Sequence, residues 1–152
     1  MTYKLDKVDK EILEELLKNS RTPYQEMAKK LIVSNGTIHI RINKMKDAGV
    51  ITGSKITIDP KKLGLGLCAF IGINLVNAGD YTKVVKKLKT FPEVVDIHFT
   101  TGQYSIFIKV LTKDTQDFHE FLLNKLQPIA EVQSTETLIS LDNPLNREIT
   151  IN

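Results

Sequence analysis

The order of strand-like and helical stretches along residues 67–141 restricts the fold more than any other feature of the chain. Residues 67–76, 94–100, 104–111 and 132–141 read as strands. Between them, Val84, Val85 and Leu88 recur at helical spacing within 81–90, and Phe118, Phe121, Leu122 and Leu126 within 115–126. Asp80 and Asp114 stand where N-caps are expected. The order strand, helix, strand, strand, helix, strand is that of the split βαβ, or ferredoxin-like, fold. It predicts one sheet with both helices on one face.

The other sheet face then needs a partner. In the first strand Ala69, Ile71, Ile73 and Leu75 alternate with Cys68, Phe70, Gly72 and Val76. In the third, Tyr104, Ile106, Ile108 and Val110 alternate with Ser105, Phe107, Lys109 and Leu111. Both sets carry apolar bulk and the helices cover only one. An uncovered face bearing Phe70 and Phe107 marks an interface, and a homodimer packed sheet to sheet is expected.

Residues 1–60 read differently. Asp6 is placed to cap a first helix, with Asp9 in its first turn and Val8, Ile12, Leu13, Leu16 and Leu17 as its apolar face. Thr22, Pro23 and Gln25 read as N-cap, N1 and capping box of a second helix, with Tyr24, Met27, Ala28 and Leu31 inward. After the short link Ile32-Val33, Ser34 caps a third helix ending near Gly49. Two helices joined so tightly form a helix-turn-helix. The runs flanking Gly53-Ser54 predict a hairpin, and a hairpin behind the third helix is a wing. The strand stops at Asp59-Pro60.

The third helix carries the functional signal. Ile38, Ile42 and Met45 form its inner stripe, while Ile40 lies nearly opposite, among Gly36, His39, Asn43 and Lys44. A major-groove face uses an isoleucine there, because the thymine methyl accepts apolar contact; a singly exposed apolar residue is the other reading. Ser34, Asn35, Gly36, Thr37, His39, Ile40 and Asn43 are the candidates for the groove, and Arg41, Lys44, Lys46 and Lys55 for phosphates. Arg41 has bracing of the helix as its alternative. From Leu16 to Pro60 there are 8 basic residues against 3 acidic, whereas 61–152 carries 10 of each. Positive charge therefore gathers on the part expected to meet an anionic partner.

Other chemistry finds little support. Gly64-Leu65-Gly66-Leu67-Cys68-Ala69 matches a dinucleotide pattern but leads into a strand, where that motif must open a helix. A linker over 61–66 between domains at 1–60 and 67–152 is the expected reading. Cys68 is the single cysteine, and His39, His98 and His119 share no ligand spacing. The run of Lys83, Lys86, Lys87 and Lys89 reads as a solvated helix face. No apolar run reaches the roughly 20 residues of a membrane span, and Met1-Thr2-Tyr3-Lys4-Leu5-Asp6 has no leader core. A cytoplasmic protein that is not an enzyme, with no metal and no cofactor, is expected.

Several stretches resemble the Lrp/AsnC family of transcription regulators and, within it, the asparagine-responsive AsnC branch. They are Leu5-Asp6 through Ile12-Leu13, Ser20-Arg21-Thr22, Val33-Ser34-Asn35-Gly36-Thr37-Ile38-His39, Lys44-Met45-Lys46, Ala48-Gly49-Val50-Ile51-Thr52-Gly53, 100–110, and Gln133-Ser134-Thr135-Glu136-Thr137-Leu138-Ile139. The resemblance implies an α+β chain: an N-terminal winged helix-turn-helix followed by a ferredoxin-like βαββαβ effector-binding domain of RAM or ACT type. It further implies double-stranded DNA as partner, dimers assembling to octamers, and an amino-acid effector bound between subunits near the loop before the third strand. That loop is Thr101, Gly102, Gln103, Tyr104 and Ser105, with Gln133, Ser134, Thr135 and Thr137 from the last strand. Many members of the family carry an acidic residue where Ser105 stands; the serine speaks against leucine and for a polar effector, and the branch resembled implies asparagine, with glutamine, aspartate or no ligand as the alternatives. Two other functions stand beside this one: an architectural, nucleoid-associated DNA-binding protein with little ligand control, and an enzyme of amino-acid metabolism built on the ferredoxin-like half, against which there is no nucleophile–base pair, metal cluster or cofactor motif.

Overall fold

The computed structural model describes residues 3–147 and 149–151. The Met1-Thr2 start of the segment read as lacking a leader core lies outside them. Contacts divide the chain into two compact units, one reaching to Thr57 and taking in the tail from Leu145, the other spanning Ile58–Pro144.

In the first unit, Asp6 caps α1 (Lys7–Lys18) with a reciprocal capping box: its carboxylate accepts from the Asp9 N–H, and Asp9 accepts from the Asp6 N–H. α2 (Tyr24–Leu31) starts differently from its sequence signature. Its N-cap is Pro23 and no side chain caps it. The Thr22 hydroxyl donates instead to the Asn19 carbonyl, 2.8 Å away, closing the turn behind α1, and the Pro23 carbonyl receives the N–H groups of Glu26 and Met27.

α3 (Asn35–Asp47) is capped by Ser34. Its inner stripe of Ile38, Ile42 and Met45 joins Ile12, Met27 and Ala28 in one core. Gly49, at φ 71°, takes the left-handed position after the helix. The N–H groups of Val50 and Ile51 both turn back to the Met45 carbonyl.

That closure bears on the expected hairpin. No strand is present between Val50 and Asp59. Val50 and Ile51 end the helix rather than begin a ribbon, Ile51 packs on the helical core, and Ile56 and Ile58 stay exposed. A two-stranded ribbon with no second layer is marginal in water.

The second unit has the expected order: β1 (Leu67–Leu75), α4 (Tyr81–Leu88), β2 (Val94–Phe99), β3 (Ile106–Thr112), α5 (Thr115–Phe121) and β4 (Val132–Ile139). The sheet is antiparallel in the order β2-β3-β1-β4. Val84, Leu88, Phe118, Phe121 and Leu126 pack on Ala69, Ile71, Ile73, Ile106, Ile108 and Val110, so both helices lie on one face. Asp114 caps α5 by accepting from the Asp117 N–H. Asp80 makes no cap bond; it ends the short 3₁₀ turn Ala78–Asp80, which runs straight into α4. Beyond α5 the chain widens to a π turn over Leu122–Leu126, with Gln127 bonding back to Leu122. Residues five apart come into register in such a turn, and this keeps both Phe121 and Leu126 in the core.

Candidate DNA face and ligand site

On α3 the outward residues fall as the period requires. Asn35, Gly36, His39, Ile40, Asn43, Lys44 and Lys46 are exposed, Ile40 at 58%. Ser34 and Thr37 serve the helix start. The Ser34 hydroxyl oxygen accepts from the Thr37 N–H at 3.0 Å and lies 2.8 Å from its hydroxyl. His39 is braced, its ring 4.4 Å edge-on from Tyr24 of α2. Lys55 is exposed in the irregular segment after α3.

Arg41 has the bracing role. Its guanidinium donates to Asp6 at 2.6 Å and to Asp9 at 2.8 Å. The second oxygen of Asp9 accepts from the Tyr3 hydroxyl at 3.1 Å. This network locks the middle of α3 to the start of α1. The Asp9 N–H, and then Arg41, hold the Asp6 carboxyl below its ordinary value. The two carboxylates push the guanidinium up, and burial followed by the bond to Asp9 pushes the Tyr3 phenol up.

In the second unit, the loop between β2 and β3 is held from inside. The Thr100 N–H donates to the Ser105 carbonyl at 3.2 Å, the Thr100 hydroxyl to the Tyr104 carbonyl at 2.7 Å, and the Ser105 N–H to the Ile73 carbonyl at 3.0 Å. Thr101, Gly102 and Gln103 form the exposed tip, Gly102 at φ 106°. Tyr104 folds back over the sheet face away from the helices. Its ring covers Gly72 so closely that a Cβ there would sit 2.5 Å from Tyr104 Cγ. Its hydroxyl donates to Glu136 of β4, and that bond, followed by burial, raises the phenol above its ordinary value. Phe107 lies 6.2 Å from the Tyr104 ring, and Phe70 stacks 6.0 Å beyond. Asn74 donates to Ser134 at 3.3 Å beside them.

β4 divides the expected site. Its register sets Glu136 against Gly72 and Ser134 against Asn74, on the face with Tyr104. Thr135 and Thr137 pair with the buried Ile73 and Ile71, so strand alternation sends them toward the helix side. They are parted from Tyr104 by the sheet. Gln133 falls at the register shift between Asn74 and Leu75. Glu136, Gly72 and Asn74 are the additions that sequence reading missed. The alternation Ser134, Glu136, Leu138 signals a shared face, but only the cross-strand register brings that face to Gly72.

Two lysines of α4 have local partners. Lys83 pairs with Glu131, and Lys87 stands 5.7 Å over the Phe91 ring. Among the described residues no cluster of three or more His, Cys, Asp or Glu is arranged for a metal, and no helix is long and apolar enough to cross a membrane.

Two family models match. The winged helix-turn-helix DNA-binding family covers residues 5–52, and the Lrp/AsnC ligand binding domain covers 68–149. The chain belongs to the Lrp/AsnC family. It is 53% identical over 147 residues to regulatory protein AsnC of Haemophilus influenzae, covering 97% of this chain and 98% of that one. The corresponding protein of Escherichia coli K12 is 50% identical over 147 residues, 97% of each chain. The structure of E. coli AsnC superposes with a TM-score of 0.94 at 49% identity, covering 97% of this chain and 99% of the other. This member of the Lrp/AsnC family is thus a DNA-binding transcription regulator with a small-molecule ligand domain, and not an enzyme. Its fold is the α+β arrangement read from the sequence, a helix-turn-helix unit followed by a ferredoxin-like one.

Proposed function

We infer that the protein is a cytoplasmic, sequence-specific regulator whose effector is asparagine, bound between subunits on the open sheet face. The observation that carries this reading is Tyr104 lying over Gly72 with its hydroxyl on Glu136, beside a loop whose tip is exposed. An asparagine presents a cation, an anion and an amide. The Glu136 carboxylate suits the ammonium group. Backbone N–H groups around Gly102 suit the carboxylate. The Asn74 and Ser134 pair offers both donor and acceptor to the amide. The functional domains are 1–60 and 67–152 joined by 61–66. Calorimetric titration with asparagine, and with leucine, glutamine and aspartate as controls, tests the effector. Selective saturable binding of asparagine is expected. Silence from all four removes the effector assignment and favours an architectural, nucleoid-associated protein.

The active species in this reading is a dimer joined through the open sheet faces and assembling further, to an octamer. Phe70 and Phe107 stack at the centre of that face and Lys109 stands 5.9 Å over the Phe70 ring. Phe107→Asp sets a charge where two aromatic faces meet and is expected to yield monomers by sedimentation. An unchanged molar mass rejects this interface. Effector binding at the junction changes subunit packing and so the separation of the recognition helices, which a near-palindromic site places roughly 34 Å apart.

On DNA, Asn43 reads a base edge and Lys44 a phosphate. Asn43→Ala is expected to cost about 1–3 kcal/mol on a selected duplex and little on random DNA, with the salt slope kept. Lys44→Ala weakens both alike and lowers the slope by about 1. Equal behaviour of the two variants in a salt titration would remove these roles.

A further inference from the structure

Ile32 occupies a conformation that its side chain resists. It follows α2 at φ 56°, ψ 46°, the left-handed region, and is the sole non-glycine residue there among those described. A β-branched side chain at positive φ is a marked outlier, because the second Cγ crowds the backbone. Yet Ile32 gains almost nothing from the fold, being 92% exposed. The turn itself explains the backbone. The Ile32 and Val33 N–H groups both bond to the Ala28 carbonyl, and Val33 drops into the helical core before Ser34 caps α3. Glycine or asparagine would meet that requirement without strain. The isoleucine therefore answers to something outside the chain.

Its surroundings say what. Ile32 stands two residues ahead of the α3 cap, continuous with exposed Ser34, Asn35 and Gly36, at the helix end that enters the major groove. We propose that Ile32 is a DNA-contacting residue whose side chain packs on the C5-methyl of a thymine at the groove edge, and that the left-handed strain is held for this contact. The chemistry is the apolar contact by which a thymine is told from other bases. This assignment rests on α3 being the groove-reading helix.

The test compares the full-length protein with Ile32→Asn and Ile32→Gly, using a duplex selected from random DNA by the wild type and the same duplex with deoxyuridine at every thymidine. Both variants are expected to melt higher than wild type, Ile32→Asn by more because it adds no glycine entropy to the unfolded chain. Both are expected to bind the thymidine duplex roughly three- to tenfold more weakly, the scale of one or two apolar groups returned to water. On the deoxyuridine duplex all three proteins are expected to bind alike. Unchanged affinity of Ile32→Gly on the thymidine duplex overturns the proposal, as does an equal loss on both duplexes. A lower melting temperature in both variants overturns the strain argument. Asn43→Ala on the same duplex separates the two readings: if it also binds like wild type, the assignment of α3 fails and not Ile32 alone.

Discussion

Replacing Asp9 with alanine is expected to destabilise the helical unit by about 3 kcal/mol, measured by urea unfolding under conditions where the wild type unfolds cooperatively. Asp9 is 1% exposed. Its carboxylate accepts from the Tyr3 hydroxyl, the Asp6 N–H and Arg41. Alanine leaves the capping box open on one side and a part-buried guanidinium with one carboxylate in place of two. Breaking a buried charged pair from one side is much costlier than replacing both partners by apolar groups. The double variant Asp9→Leu with Arg41→Met is therefore expected to lose less than the sum of its parts. Additive losses would mean that the two residues act independently. The same network predicts an acid response. Asp6 has a depressed folded value, so its contribution is present above the ordinary carboxylate range and disappears as the pH falls through that depressed value. Asp6→Asn should be less stable than wild type at neutral pH, and the difference should close as the pH falls through the acid range.

The helix pattern of both units was legible because a period of 3.6 leaves little freedom. Ile38, Ile42 and Met45 are buried and Ile40 is not, as spacing alone requires. The ferredoxin-like order was legible because strand-like runs and helical stripes succeed one another between Leu67 and Ile139. Signals with two possible partners were read less well. Thr22 has the residue type of a cap, but Pro23 stands at the N-cap position and the Thr22 hydroxyl donates to the Asn19 carbonyl behind it. Asp80 has the residue type of a cap, but the preceding 3₁₀ turn already orders the chain. The expected hairpin failed on a shared acceptor, the Met45 carbonyl, which takes both N–H groups of Val50 and Ile51.

The candidate ligand site was legible as a loop and a strand, not as a surface. Composition alone gathers Gln133, Ser134, Thr135 and Thr137 into one polar group. A strand sends alternate residues to opposite faces, and the register with β1 decides which of them meet Tyr104. Glu136 went unread because its partner, Tyr104, lies 32 residues away in the chain. Ile32 carries no signal at all in the sequence; its meaning is in a dihedral angle.

Gly72→Ala should have the largest effect at the ligand site. A methyl group at residue 72 would stand 2.5 Å from Tyr104 Cγ and 2.6 Å from both Cδ atoms. The contact is with the root of the ring, so no small rotation relieves it. The ring must lift from the sheet, and its hydroxyl then leaves Glu136. Forcing a methyl into such a packed contact costs about 1–3 kcal/mol of stability. Because the loop from Thr100 to Ser105 is tied to the Tyr104 carbonyl and to Ile73, lifting the ring also disturbs the backbone around Gly102. Asparagine binding is therefore expected to weaken at least about tenfold, near 1.4 kcal/mol. Tyr104→Phe is the measured contrast. It keeps the ring on Gly72 and removes only the hydroxyl, so it should fold as the wild type does and lose less binding than Gly72→Ala. The order of the two losses, read by calorimetric titration, decides whether the ring or its hydroxyl organises the site. A Gly72→Ala protein that binds asparagine like wild type, with its Tyr104 resonances shifted, would place the effector elsewhere on the domain.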